Sequence, residues 1–161
     1  MKKQLLVMRH GEATFRANSD MERELTAHGC RQVTKTTQAI QQFINDNSVS
    51  KESVHIWASP YVRAQQTAGI VAQALALPIA TIDYITPNDD PNKSLERLYK
   101  ETKGIEFLIL VTHMPFCAGF ASSLTAEEQR QNASFSTAEC QRFECDEFLP
   151  ACGSFSGVIG Y

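Results

Sequence analysis

The sequence predicts an α/β layered domain with a mainly parallel sheet. Short apolar runs of strand length take turns with segments of helical periodicity along most of the chain. The most apolar run, Phe107-Leu108-Ile109-Leu110-Val111, has no polar face and reads as a central strand covered on both sides. At 161 residues and 43% hydrophobic content the chain has the size of one domain, 1–161, able to bury a sizeable core.

In chain order, Leu5 to Met8 is an apolar run that ends in Arg-His-Gly, as a buried strand entering a loop does. Thr26 is placed to cap a helix reaching about Asn45, with Cys30, Val33, Thr37, Ile40 and Phe43 or Ile44 on its inner face. Val54 to Ala58 forms a second strand. Ser59-Pro60 reads as a cap followed by proline in the first helical position, opening a helix through Ala64, Thr67, Ala68, Val71 and Leu75 that Pro78 ends. Ile79 to Ile82 is a third strand, and Pro87-Asn88-Asp89-Asp90-Pro91 is the clearest loop. A short helix over Leu95 to Lys103, the central strand Glu106 to Thr112 and a helix over Pro115 to Leu124 follow. Cys140 to Cys145 and Phe155 to Ile159 alternate partially, as late and antiparallel strands can.

Composition excludes several classes of function. With 15 Lys+Arg against 18 Asp+Glu, net charge −3, there is no basic surface to hold nucleic acid. The N-terminal apolar run stops at Arg9-His10, far short of a signal-peptide core, and no stretch reaches the ~20 apolar residues of a membrane span. A cytoplasmic protein without membrane contact is therefore expected. The five cysteines are an odd number without close CxxC pairing, which argues for free buried thiols rather than disulfides or a metal site.

Charged residues converge at one rim. Open α/β sheets build their sites at the carboxyl ends of strands, where Arg9-His10 and His113 both fall. Arg63 sits in the first turn of the helix that follows another strand. A lone histidine after a strand is ordinarily structural and a lone arginine ordinarily a surface charge. Two of each, delivered by three distant segments, are a different matter.

These residues carry a family resemblance. Met8-Arg9-His10-Gly11-Glu12 resembles the Arg-His-Gly signature of the histidine phosphatase, or phosphoglycerate mutase-like, superfamily. Ser59-Pro60-Tyr61-Val62-Arg63-Ala64-Gln65-Gln66-Thr67-Ala68 resembles its SPxxRAxQTA motif, and Val111-Thr112-His113-Met114-Pro115 its second-histidine motif; Leu25-Thr26-Ala27-His28-Gly29 matches the LTxxG helix start. The short length and the segment Asp20 to Thr26 are most similar to the SixA-type phosphohistidine phosphatases. The resemblance implies a three-layer α/β/α sandwich in a minimal form without a lid insertion, since only 30 residues separate Ala76 from Phe107. It also implies no cofactor and no metal. A site open in this way favours a phosphorylated protein substrate, of the histidine phosphotransfer type found in signalling, with phosphate as product.

The expected chemistry follows from the residue types. Phosphoryl transfer spreads charge over three oxygens, so fixed donors do most of the work. Arg9 and Arg63 offer paired, charge-assisted bonds that a lysine cannot match in geometry. His113 completes the cradle, and His10 is the nucleophile, with one ring nitrogen facing phosphorus and the other held by a backbone carbonyl. The positive surroundings should keep His10 neutral. Arg23 matches an arginine of the SixA-type pattern and is a candidate for further contact with the substrate.

A general acid is left open. Asp89 or Asp90 corresponds to the loop from which many superfamily members protonate a leaving oxygen, yet both equally suit a proline-flanked turn. Glu12 fits either an orienting role or that of a solvated carboxylate balancing Arg9 or Arg16. Phosphohistidine makes small demands here, because imidazole leaves with a conjugate acid of pKa about 6.5 against about 15.7 for water. Arg16, standing where mutase-like members often carry an asparagine, argues against a mutase. Two alternatives stand beside a phosphohistidine phosphatase: a phosphatase of small esters or of phosphoserine and phosphothreonine, and a non-catalytic phosphate-binding module.

Overall fold

The computed structural model describes residues 2–129 and 134–160. Six strands, β1 (Lys3–Arg9), β2 (Val54–Ala58), β3 (Ile79–Thr81), β4 (Phe107–Thr112), β5 (Cys140–Cys145) and β6 (Gly153–Ile159), form one sheet in the order β3, β2, β4, β1, β5, β6. β3, β2, β4 and β1 are parallel, with Leu6 beside Ile109 and Ile56 beside Ile109 on its other edge. β5 pairs antiparallel with β1, and β6 antiparallel with β5. All six residues of β4 are buried, because the strand is central and covered on both faces.

Helices cover the two faces and complete three layers. On one face α1 (Ala27–Asp46) and α2 (Val62–Leu75) lay Val33, Ile40, Ala68 and Val71 on Leu6, Met8, Ile109 and Val111. On the other, α3 (Pro91–Glu101) and α4 (Phe116–Leu124) lay Leu95, Leu98, Phe116 and Phe120 on Leu5, Val7, Leu108 and Leu110. The alternation along β1 thus feeds two cores. A fully buried side chain such as Leu110 holds the layers together by about 2–5 kcal/mol, judged by the usual cost of truncation to alanine.

Several boundaries differ from the sequence expectation. Thr26 does cap α1, its hydroxyl accepting from Gly29 N at 2.9 Å, but Cys30 is exposed and Thr36 takes an inner position instead. α2 starts two residues beyond Pro60, at Val62, with Tyr61 in the capping position and its N–H on Ser59 Oγ, and it ends at Ala76 in the left-handed region (φ 56°), before Pro78. α3 starts at Pro91 rather than Leu95: Asp90 caps it and Pro91 fills the first turn. Among the described residues no helix is long and apolar enough to cross a membrane.

Candidate active site

The site begins where β1 ends. His10 is fixed by its backbone on both sides: its N–H donates to Thr112 O at 3.0 Å, and its carbonyl accepts from Ala138 N at 3.0 Å. Gly11 follows, with its N–H on Thr67 Oγ1 at 3.2 Å. A Cβ at Gly11 would lie 2.7 Å from Gly29 O, and one at Gly29 would lie 2.1 Å from Glu12 O. The glycines of the first and second motifs are therefore needed for one purpose: the loop after β1 lies directly on the first turn of α1.

Hydrogen bonding fixes the tautomer of His10. Arg63 Nε, which can only donate, lies 3.2 Å from His10 Nε2, so Nε2 is an acceptor and the proton is on Nδ1. Nδ1 then donates to Gly11 O at 2.7 Å. Burial, reinforced by the charges of Arg63, Arg9 and Arg23, lowers the His10 pKa from 6.5 to about 4, although the Gly11 carbonyl pulls the other way. The sequence reading assigned this neutrality to charge; burial is the larger cause.

Arg63, the second residue of α2, is almost fully buried and is used at every nitrogen. Nη1 donates to Asp20 O at 2.6 Å and Nη2 to Asp20 Oδ2 at 3.2 Å. Asp20 Oδ1 takes Arg23 Nη1 at 3.0 Å, so one carboxylate bridges two arginines. Burial pushes the Asp20 carboxyl up, but the bonds from Arg23 and Arg63 outweigh it and hold the group below its ordinary value. Arg23 is anchored further by Nε on Thr14 O at 2.9 Å; it reaches His10 through Asp20 and Arg63, not directly.

His113, fully buried, closes the opposite wall with its ring centroid 5.2 Å from that of His10. Its Nε2 shares a 2.7 Å hydrogen bond with Ser59 Oγ, which also accepts from Tyr61 N at 3.3 Å just ahead of α2. Burial, then the neighbouring His10 and Arg63, drives its pKa far down. Arg9 donates from Nη1 to Phe135 O at 2.7 Å. Among the described residues, two buried side-chain polar atoms have no hydrogen-bond partner, Arg9 Nε and His113 Nδ1, and both belong to this site. Buried polar atoms are rarely left unpaired. Here the two orphans sit on residues grouped with His10, which leaves them available to a bound ligand.

The carboxylate candidates are occupied locally. Asp89 Oδ2 accepts from Thr86 N and Thr86 Oγ1, both at 2.7 Å, and Asp90 Oδ1 accepts from Asn92 N at the start of α3. Glu12 Oε1 accepts from Thr26 Oγ1 at 2.8 Å, beside the N-terminus of α1. The structure brings Arg9, His10, Arg63 and His113 together, with Arg23 one contact further out. Sequence reasoning missed Asp20, for which the spacing of three to Arg23 was the available signal. It also missed Ser59 as the partner of His113, and Phe135, whose contribution is a backbone carbonyl.

A neutral imidazole acceptor ringed by two guanidinium groups and a second imidazole, at the carboxyl ends of parallel strands, defines a phosphoryl-handling site of the histidine phosphatase class. The chain belongs to the histidine phosphatase superfamily (branch 1), whose sequence model matches residues 5–85. It is 32% identical over 128 residues to the phosphohistidine phosphatase SixA homolog of Haemophilus influenzae, covering 74% of this chain and 76% of that protein. Identity to phosphohistidine phosphatase SixA of Escherichia coli is 29% over 128 residues, covering 78% and 76%. The solved structure of the protein histidine phosphatase SixA complexed with tungstate superposes with a TM-score of 0.82 at 26% identity, covering 98% of this chain and 96% of that one.

Proposed function

We propose that this protein is a phosphohistidine phosphatase that works through a phosphoryl group carried on His10. The observation that carries the reading is the fixed tautomer: Nδ1 donates to the Gly11 carbonyl and Nε2 keeps its electron pair, beside the Arg63 guanidinium, while Arg9 Nε and His113 Nδ1 are left without partners. The relatives in Haemophilus influenzae and Escherichia coli, both named for phosphohistidine, support the choice of substrate. So does the short connection from α2 to β4, where residues 77–106 hold only β3, α3 and their loops.

An incoming phosphoryl oxygen takes over the Arg63 donor that otherwise caps His10 Nε2. Nε2 then attacks phosphorus, the P–N bond of the substrate breaks, and the substrate imidazole leaves with its electron pair and takes up a proton from solvent water. Arg9, Arg63 and His113 hold the three oxygens throughout. Arg23 would act on the substrate side of Asp20. Water next attacks the phosphorus of phosphoryl-His10, the N–P electron pair returns to Nε2, and phosphate departs. The partner this chemistry suits is a histidine phosphotransfer protein of cytoplasmic signal transduction.

Phosphate release should be measured on a panel of a phosphohistidine protein, a phosphoserine peptide and a sugar phosphate, with rapid quench to trap phosphoryl-His10. Preferential turnover of the phosphohistidine protein and a trapped adduct on His10 are expected. Equal hydrolysis by His10→Ala would refute the reading.

A further inference from the structure

The loop between β1 and α1 carries the most exposed large apolar side chain among the described residues. Phe15 is 86% exposed and Met21 46%. The loop does not lie loose on the surface. Its base is closed by the bridge between Ala13 and Leu25 and by Thr14 N on Glu24 O at 2.8 Å. Its far side is tied to α2 by Val62 N on Met21 O at 3.0 Å and by Arg63 Nη1 on Asp20 O at 2.6 Å. Within it the Arg23 guanidinium, pinned by Thr14 O and Asp20, lies 4.2 Å from the centroid of the Phe15 ring.

We propose that Phe15 and Met21 form a docking lip that receives the aliphatic surface around the phosphohistidine of a folded protein substrate. The proposal rests on the phosphohistidine reading above and adds to it the chemistry of the partner's surface. The contact path from His10 to Phe15 runs through Arg63, Asp20 and Arg23, so a ligand confined to His10 does not touch the ring. A protein that delivers its own histidine into the site lies across the rim, because even transient complexes bury several hundred Å² on each partner. The loop it meets beside Asp20 exposes Phe15 and Met21 among the polar Arg16, Asn18, Ser19 and Glu22, an apolar anchor within a polar surround. Arg23 is committed to Asp20 and to backbone carbonyls, and its guanidinium backs the ring of Phe15, which faces outward. An exposed aromatic side chain held in place by a cation–π contact has little freedom left to lose on binding, which is the character of an interface hot spot. Phe155 and Val158, the other exposed large apolar residues described, lie on the edge strand β6 and not on this loop.

The test compares two substrates, a histidine phosphotransfer domain phosphorylated on histidine and free phosphohistidine, across the unaltered protein, Met21→Ser and the double variant Phe15→Ser/Met21→Ser. The double variant should raise KM for the protein substrate about tenfold or more with kcat within about twofold, as loss of a central anchor does. Met21→Ser, which leaves the Arg23 contact intact, should raise KM for the protein substrate by a smaller factor while its kcat/KM on free phosphohistidine stays unchanged. Unchanged KM in both variants overturns the docking lip alone. Equal losses on both substrates also overturn it, since the defect would then lie in the site. Failure of the unaltered protein to hydrolyse either P–N substrate overturns the phosphohistidine reading and the lip with it. A concentration-dependent dimer abolished by the same substitutions would assign the patch to a second copy of the chain and overturn the proposal.

Discussion

Arg63 Nε donates to His10 Nε2 across 3.2 Å, into the electron pair that the proposed attack on phosphorus uses. The same guanidinium holds both the carbonyl and the carboxylate of Asp20. Arg63→Lys puts one ammonium in place of a three-way fork and cannot make these contacts together. Turnover should fall by about 10²–10³-fold, the usual loss when one fixed oxyanion donor is removed. The unfolding midpoint should fall by roughly 4–10 °C, because the ion pair with the half-exposed Asp20 contributes at most about 1 kcal/mol and the bonds to Asp20 O and His10 Nε2 about 1 kcal/mol each. Steady-state kinetics beside thermal unfolding check both.

The depressed pKa of His10 predicts an acid limb far from that of an ordinary histidine. Formation of phosphoryl-His10 should stay flat through pH 6.5 and decline only as pH falls through about 4. Stability responds in the same window. Above pH 6.5 folded and unfolded chains both hold a neutral ring, so this group adds no slope. Between 6.5 and about 4 the unfolded chain binds a proton that the folded chain does not, and stability is lost as pH falls, by up to about 1.4 kcal/mol per pH unit. His10→Asn should show a shallower slope over that window in denaturant titrations, and an unchanged slope would contradict the assignment.

Asp20 occupies two arginines that the proposed function assigns to the substrate. Asp20→Asn removes a competing anion from Arg23 and Arg63. Inorganic phosphate should therefore inhibit more tightly, by about two- to fivefold, in line with the 0.2–1 kcal/mol of exposed ion pairs. Weaker inhibition would mean that Asp20 serves mainly to orient Arg63.

Asp89 and Asp90 are predicted to matter to the fold and not to phosphohistidine turnover. Asp90→Asn keeps a capping side chain and should be nearly silent, whereas Asp90→Ala should cost about 1 kcal/mol through the start of α3. Asp89→Asn should loosen the Thr86 turn in a similar way. In each variant kcat on a phosphohistidine protein should stay within about twofold. A drop of about a hundredfold, in the range of lost general acid catalysis, would identify a proton donor.

What was legible in the sequence followed from signals that are local. β1 and β4 are continuous apolar runs, and a strand buried on both faces can read no other way. Thr26 announced α1 by its own side chain. Ser59-Pro60 and Asp90-Pro91 carry the same local signature of a cap before proline, yet only Asp90 caps a helix. The Ser59 hydroxyl is shared between Tyr61 N and His113, 54 residues away, and no local pattern reveals the second partner. The site divides along the same line. Arg9, His10, Arg63 and His113 stand in motifs. Asp20 acquires its place only when the loop folds back on α2, and the carbonyl of Phe135 leaves no mark in the identity of residue 135.

That carbonyl belongs to a strip of backbone that braces the site from the far side of β1. Arg9 Nη1 rests on Phe135 O, the Arg9 N–H on Glu139 O, and the carbonyl of His10 on the N–H of Ala138. All four motifs lie before residue 116, so a nascent chain has displayed every one of them well before these supports leave the ribosome. Until Phe135 to Glu139 dock along β1, the first arginine has no backbone carbonyl to steer it and the nucleophile is held from one edge only. The segment with the least recognisable sequence thus supports both the first arginine and the backbone of His10 from the far edge of β1.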